Sequence, residues 1–188
     1  MSASLHATGA KLPASMRERY LAAPDFEAML ASVEKHAELW AAVWRLARVD
    51  GEFVRRVAAL GGSWHLLVLS EDWCGDAVNT VPVIAKLAAL SANVDLRVLA
   101  RDENLDLMNE HLTGVSRSIP AVIALDEEFH ERGWWGPRPT ILQHWTHGDG
   151  QTLEKADRYR EVRRWYARDR GRTTLEEVVA MLERAASA

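Results

Sequence analysis

A short apolar run at residues 64–69, followed at once by a helical pattern, is the feature that most limits the folds open to this chain. The run is bounded by turn residues, which is typical of a strand buried on both faces of a sheet. Residues 75–90 then carry apolar side chains at helical spacing. A buried strand that leads directly into a helix predicts a βα unit, and hence an α/β fold with parallel strands.

The remaining elements alternate in the order that such a fold requires. Residues 1–24 look loosely structured, with Pro13 and Pro24 as breaks in the pattern. From residue 25 onward, hydrophobic periodicity and turn residues predict a succession of helices and strands. In chain order these are one long amphipathic helix at 25–47, a short helix at 52–60, strand 64–69, helix 75–90, strand 94–99, helix 103–112, strand 121–125, a hairpin partner at 129–135 and helices after 139.

This order predicts a mixed central sheet with helices on both faces. A βα unit leads into a parallel strand, whereas a hairpin adds an antiparallel one. We expect residues 1–62 to form an N-terminal helical extension packed on the core, residues 63–147 to form the α/β core, and residues 148–188 to form a C-terminal helical region. A length of 188 residues is typical of a single domain, so we expect one compact domain overall.

Composition and charge exclude several classes of function. The formal net charge of −4 offers no overall basic field for nucleic acid or for an anionic membrane. The longest apolar runs fall far short of the roughly 20 residues of a membrane-spanning helix. The chain contains one cysteine, and its first residues lack the basic and apolar regions of a signal peptide. We therefore expect a cytoplasmic protein that binds neither nucleic acid nor membrane, and the sequence leaves its oligomeric state open.

Chemically versatile side chains gather at one edge of the predicted sheet. Cys74 lies between the first buried strand and the helix at 75–90, where backbone N–H groups and the helix dipole stabilise a thiolate. The second parallel strand ends at the same edge, with Arg101 and Asp102 at its exit. Residues 117–120 lead into an antiparallel strand, which must begin at that edge. The topology predicts that the following residues converge: Cys74, Arg101, Asp102, Arg117, Ile119 and Pro120.

The motifs around these positions resemble those of the thioredoxin-like superfamily. The matching segments are Trp73-Cys74-Gly75 at the strand-to-helix turn, Pro82 in the following helix and Ile119-Pro120 before a strand. Two further segments, Arg101-Asp102-Glu103-Asn104 and Trp135-Gly136-Pro137-Arg138-Pro139, look most like a subgroup of bacterial thioredoxin-family proteins that carry a Trp-Cys-Gly-Asp motif. The resemblance covers about residues 64–140, and it implies that the predicted core at 63–147 is thioredoxin-like, with helical extensions on either side.

The resemblance also implies roles for individual residues. Cys74 is the expected nucleophile. The peptide bond between Ile119 and Pro120 is expected to be cis, with the proline packed beside the cysteine, and Pro82 is expected to kink the active-site helix. The residues expected to contact a partner are Trp73, Gly75, Asp76, Arg101, Asp102, Arg117, Ile119 and Pro120.

The chain departs from the family at the second active-site cysteine. Thioredoxins use two cysteines separated by two residues, one to attack a disulfide and one to resolve the mixed disulfide that results. Ala77 occupies the second position here, and the chain has no other cysteine. A self-resolving dithiol–disulfide cycle is therefore impossible for this molecule.

The sequence leaves the reactivity of Cys74 open. The helix N-terminus lowers the pKa of a thiol, and Arg101 or Arg117 would lower it further if either side chain reached the sulfur. Carboxylates close in sequence have the opposite effect, because a nearby negative charge disfavours a thiolate. These acidic residues are Glu71, Asp72 and Asp76.

Three functions are compatible with these features. The first is a monothiol oxidoreductase that forms mixed disulfides through Cys74, with a disulfide-containing protein or a low-molecular-weight thiol as its partner. The second is a non-catalytic binding module that presents the Ile119-Pro120 loop and the Trp73 turn to an extended peptide or a partner protein. The third is a thiol redox sensor. We expect no cofactor and no metal, because His144, His147 and Asp149 have no further ligand at suitable spacing.

Two local features have alternative interpretations. Arg101 and Asp102 form either a local ion pair that fixes a loop or an element that binds a partner. The turn at 134–139 either docks the last helix or presents exposed aromatic side chains to a peptide.

Overall fold

Four strands form the central sheet of this chain. The computed structural model describes residues 14–188, and its strands are β1 (Trp64–Ser70), β2 (Val94–Ala100), β3 (Ala121–Leu125) and β4 (Glu131–Trp135). Their order across the sheet is β2-β1-β3-β4. β1 and β2 are parallel, whereas β3 pairs antiparallel with both β1 and β4. The predicted mixed sheet is confirmed.

Helices precede, connect and follow the strands. They are α1 (Met16–Ala22), α2 (Phe26–Ser32), α3 (Ala37–Leu46), α4 (Gly51–Ala58), α5 (Gly75–Leu90), α6 (Leu105–Glu110), α7 (Thr140–His147), α8 (Lys155–Asp169) and α9 (Arg172–Ala186), with short 3-10 helices at Arg101–Glu103 and Asp149–Thr152. Every residue of β3 is buried, as are all but one of β1. The two central strands are thus covered on both faces, and the arrangement confirms the predicted α/β fold with helical extensions at both ends.

Packing against α5 and β4 ties the C-terminal helix to the sheet. α9 contacts β4, α4 and α5, and α3 also packs on α5. Aromatic side chains link the N-terminal helix α1 to the sheet. The ring of Tyr20 in α1 lies 4.8 Å from that of His65 in β1, and the ring of His65 stacks on that of Phe129 with the centroids 4.4 Å apart. Side chains from all three predicted segments share one hydrophobic core. The boundaries of those segments stay a prediction.

The prediction of one long helix at 25–47 is wrong. The chain forms two helices, α2 and α3, and residues 33–36 between them leave the helical conformation, with His36 left-handed at φ 56°. The amides of Glu34 and Lys35 donate hydrogen bonds to Oδ2 of Asp72, at 3.1 and 2.8 Å. Because a distant carboxylate accepts these amides in place of helical carbonyls, the break depends on a tertiary contact that hydrophobic spacing does not reveal.

The expectation of loose structure before residue 25 is also wrong for the part that the structure describes. α1 begins at Met16, and Ser15 and Glu18 form a capping box at its N-terminus. Residues 1–13, including Pro13, lie outside the described range. Within residues 14–188, no helix is both long enough and apolar enough to cross a bilayer.

Candidate functional site

Cys74 is the N-cap residue of α5 and lies at the end of the short turn that follows β1. Its Sγ accepts a hydrogen bond from the amide of Ala77 at 3.5 Å, and the thiol donates one to the carbonyl oxygen of Ile119 at 3.3 Å. The side chain is 8% exposed. The thiol is therefore held between the first turn of α5 and the segment that leads into β3.

At this edge of the sheet, the backbone after β4 comes very close to the backbone before β3. The Ile119–Pro120 and Gly136–Pro137 peptide bonds are both cis. Gly136 has a φ of +147°, and a Cβ at this position would lie only 2.0 Å from the carbonyl oxygen of Pro120. Only glycine permits that approach. The contact brings the residues that follow β4 to the edge where Cys74 lies.

Asp76 forms a part-buried network in the first turn of α5. Its Oδ2 accepts a hydrogen bond from Nη2 of Arg138 at 2.6 Å, and its Oδ1 accepts one from the hydroxyl of Tyr166 at 2.8 Å. Arg138 also donates to Oγ1 of Thr146 at 3.0 Å. Burial raises the pKa of Asp76 above its usual range, against the effects of the arginine and the tyrosine. Burial and the adjacent carboxylate raise the pKa of Tyr166, so its hydroxyl stays protonated and remains a donor.

Burial also raises the pKa of the Cys74 thiol above its ordinary value. The hydrogen bond from Ala77 acts in the opposite direction, as expected at a helix N-terminus. The negative charge of Asp76 raises the pKa further, whereas the guanidinium of Arg138 lowers it. The burial effect prevails, so Cys74 stays protonated to a higher pH than an exposed cysteine does.

The other charged residues expected to influence Cys74 are engaged elsewhere. Glu71 accepts a hydrogen bond from the amide of Asp102 at 2.8 Å through its Oε1. Asp72 accepts the two amides between α2 and α3. Arg101 donates to Asp102 and to the carbonyl oxygen of Arg117. Among the residues that the structure describes, the charged side chains that act on the pKa of the thiol are Asp76 and Arg138.

Opposite changes in the pKa of Cys74 are expected from the two members of the Asp76–Arg138 pair. Asp76→Asn should lower it, because a negative charge beside the thiolate is removed, and Arg138→Gln should raise it, because a positive charge is removed. The rate of iodoacetamide alkylation as a function of pH reports both changes. Glu71→Gln is the matched control, and a shift as large as that of Asp76→Asn would contradict this assignment.

A cleft of about 590 Å³ opens beside the thiol. It lies between α3, the turn before α5, the segment before β3 and α8. Seven of the predicted site residues line it: Trp73, Cys74, Gly75, Asp76, Arg101, Arg117 and Ile119. The other two, Asp102 and Pro120, do not belong to its lining. Asp102 pairs with Arg101 and is largely exposed, whereas Pro120 is buried behind the cleft.

Trp73 and Gly75 flank the thiol on the exposed side. The indole of Trp73 is 47% exposed, and the guanidinium of Arg101 lies 5.1 Å from the centroid of its ring. The Arg101–Asp102 pair is thus a local ion pair, and Arg101 also contributes to the cleft. A Cβ at Gly75 would meet no atom within 4 Å. Contacts within residues 14–188 do not account for a glycine here, and the residue is exposed.

Sequence reasoning missed the partners of Asp76. β4 runs antiparallel to β3, so it ends at the edge where β1 ends. That polarity was available from the predicted topology, and it could have placed Arg138 near Cys74. Tyr166 comes from α8, and no local pattern predicts how a helix distant in sequence will dock. The turn at 134–139 docks the last helix, since Trp135 Nε1 donates to Oε2 of Glu177 in α9 at 2.7 Å.

One side-chain group within residues 14–188 has the spacing of metal ligands. It consists of Asp126, Glu128 and His130, in the turn between β3 and β4, and it lies at the end of the sheet opposite Cys74. Two of these residues are exposed. The group has no connection to the cleft.

Comparisons with known proteins agree with this architecture. A family model described as thioredoxin matches residues 23–163, well over half of the chain. The crystal structure of a protein of unknown function from Pseudomonas aeruginosa is 22% identical, covers 91% of this chain and 98% of its own, and has a TM-score of 0.72. An HIV epitope scaffold is 22% identical, covers 90% of this chain and 98% of its own, and has a TM-score of 0.70. No curated protein matches the chain in sequence. The two structures support the fold alone, and the family match shows that this chain belongs to the thioredoxin family.

Proposed function

We propose that this protein captures a disulfide-containing partner as a mixed disulfide through Cys74 and does not resolve that bond itself. The observation that carries the proposal is the place of the thiol: it caps α5 and borders an open cleft. The Cys74 thiolate attacks one sulfur of the partner's disulfide, a new S–S bond forms, and the other sulfur leaves as a thiolate that takes up a proton. A thiol from another molecule must then release the captured group.

The raised pKa of Cys74 supports slow capture followed by a long-lived mixed disulfide. At neutral pH few molecules carry the thiolate, so attack is slow. A thiol of high pKa is also a poor leaving group, so Cys74 is released slowly when an external thiol attacks the mixed disulfide. Ala77, the residue at the resolving position, is fully buried and has no thiol. These features favour a monothiol that holds its partner, as in a redox sensor, over a rapidly cycling oxidoreductase.

A non-catalytic binding module is the second candidate. In its favour, the Cys74 thiol is hydrogen-bonded to Ile119 and nearly buried, as a structural cysteine would be. Trp73 and the cleft would then bind a peptide without any covalent step. We also propose a cytoplasmic location, because a lone cysteine is typical of a reducing compartment.

The reaction of folded protein with a neutral disulfide, bis(2-hydroxyethyl) disulfide, distinguishes the two functions. We expect one mixed disulfide per chain by mass spectrometry, and none with Cys74→Ser. Because the pKa of Cys74 is raised, the rate should keep rising as the pH passes the ordinary cysteine value of about 8.5. A thiol that reacts only after the protein is unfolded would sink the covalent function and leave the binding module.

A further inference from the structure

Arginine side chains dominate the charged lining of the cleft beside Cys74. The lining contains five arginines and a single carboxylate, that of Asp76. The arginines are Arg101, Arg117, Arg138, Arg158 and Arg163. The chain as a whole has a formal net charge of −4, so this concentration of positive charge is local to the cleft.

Three of the five guanidinium groups have no carboxylate partner in the part of the chain that the structure describes. Arg117 donates to the amide oxygen of Asn109 at 2.8 Å, and Arg158 donates to that of Gln151 at 3.0 Å. Both acceptors are neutral. Arg163, one turn further along α8, makes no side-chain hydrogen bond or ion pair within residues 14–188. Neutral acceptors leave these positive charges uncompensated and available to an anion.

The remaining two arginines are already neutralised. Arg138 pairs with Asp76 at 2.6 Å, and Arg101 pairs with Asp102 at 2.7 Å. The one carboxylate in the lining is therefore offset by its own partner. The positive charge that acts on an incoming ligand is therefore that of Arg117 on one wall of the cleft and that of Arg158 and Arg163, in α8, on the other.

We propose, on the basis of the function above, that the partner captured by Cys74 is a low-molecular-weight disulfide that carries carboxylates. Arg117, Arg158 and Arg163 bind its carboxylates, because guanidinium and carboxylate match in charge and in planar geometry. A volume of about 590 Å³ lies within the range of small-molecule sites. Because Cys74 is only 8% exposed, the disulfide must enter the cleft to reach it.

The capture step balances without a cofactor. The Cys74 thiol loses its proton to solvent, its sulfur bonds to one sulfur of the small disulfide, and the S–S bond of that disulfide breaks. The departing half leaves as a thiolate and is protonated by solvent. The small disulfide is the oxidant: it is reduced to one free thiol and one half of the mixed disulfide.

Three symmetrical alkyl disulfides of different charge test the proposal. They are 3,3′-dithiodipropionate, which is anionic, bis(2-hydroxyethyl) disulfide, which is neutral, and cystamine, which is cationic. The rate of adduct formation on folded protein is divided by the rate for the same probe on the urea-unfolded chain, which removes differences in intrinsic reactivity. We expect the anionic probe to react about tenfold faster than the neutral one at low salt, and the cationic probe to react slowest. This advantage should shrink as ionic strength rises.

Two double variants of α8 test whether the anionic advantage comes from the arginines that line the cleft. Arg158→Gln with Arg163→Gln should remove most of the anionic advantage. Arg160→Gln with Arg164→Gln removes the same charge from α8, but those arginines pair with Asp157 and Glu161 outside the cleft, so it should retain the advantage.

The outcomes separate this proposal from the one on which it rests. Equal normalised rates for the three probes would overturn the anionic partner and leave the mixed-disulfide function intact. If the two double variants lose the anionic advantage equally, that advantage comes from the charge of the whole protein and not from the cleft. This result would also overturn the anionic partner. If none of the three probes reacts with folded protein, the proposed function falls and the anionic partner falls with it.

Discussion

Replacing Gly136 by alanine is expected to destabilise the protein by about 3 kcal/mol or more. The new Cβ would lie 2.0 Å from the carbonyl oxygen of Pro120, a backbone atom that no side-chain rotation can move. The φ of +147° adds a second cost, because residues with a side chain rarely adopt it. Relief requires β3 and the segment after β4 to separate at the edge where Cys74 lies.

Urea unfolding measures this loss as a shift in the midpoint at constant slope. Gly62→Ala is the matched control, since Gly62 also has a positive φ, of +59°, but its Cβ would meet no atom within 4 Å. That variant should lose only about 1–2 kcal/mol, the cost of the left-handed conformation alone. Equal losses at the two positions would show that the close approach to Pro120 has no energetic weight.

Replacing Ala77 by cysteine is expected to give the chain the internal resolution step that it lacks. Ala77 lies three residues after Cys74 in the first turn of α5, and its amide already donates to the Cys74 sulfur. Residues at this spacing on a helix are neighbours, within the roughly 4.4–6.8 Å between Cα atoms that disulfides require. The new thiol can therefore attack the mixed disulfide, form an internal disulfide and release the partner.

The end product of the reaction with a small disulfide distinguishes the variant from the natural chain. With bis(2-hydroxyethyl) disulfide alone, the natural chain should stop at a mixed disulfide, whereas Ala77→Cys should end as an internal disulfide and release both halves of the probe as thiols. Ala85→Cys also adds a buried thiol to α5, but at a distance of roughly 16 Å from Cys74 along the helix. It should behave as the natural chain does. A mixed disulfide that persists in Ala77→Cys would show that the first turn of α5 cannot bring the two sulfurs together.

The strands were predictable because each leaves a local signature. Apolar runs bounded by turn residues located β1 and β3, and the same periodicity located α5 between the first two strands. Strand polarity then placed Cys74, Arg101 and Arg117 at one edge, and they line one cleft. The break between α2 and α3 was not predictable, since it depends on Asp72, which lies far along the chain.

The charge of the cleft could not be derived from composition. A formal net charge of −4 averages over the whole surface, whereas binding depends on which charges are near the ligand and which are already paired. Arg158 and Arg163 are spaced to lie on neighbouring turns of α8, but their spacing alone does not indicate that α8 lies beside Cys74. Docking of that helix converts a charged helix surface into one wall of the site.

The sequence by itself determined that no internal disulfide can form, because a disulfide requires two thiols and Cys74 is the only one. It also determined the strand-to-helix turn that carries this thiol, since hydrophobic period and turn residues act locally. Tertiary structure alone decided how far the pKa of this thiol departs from its ordinary value. Burial raises the pKa of Cys74, and Asp76 and Arg138 act on it in opposite directions. Desolvation and charge–charge interactions depend on distances in space, and these arise only when the segment after β4 and helix α8 come to lie beside the first turn of α5.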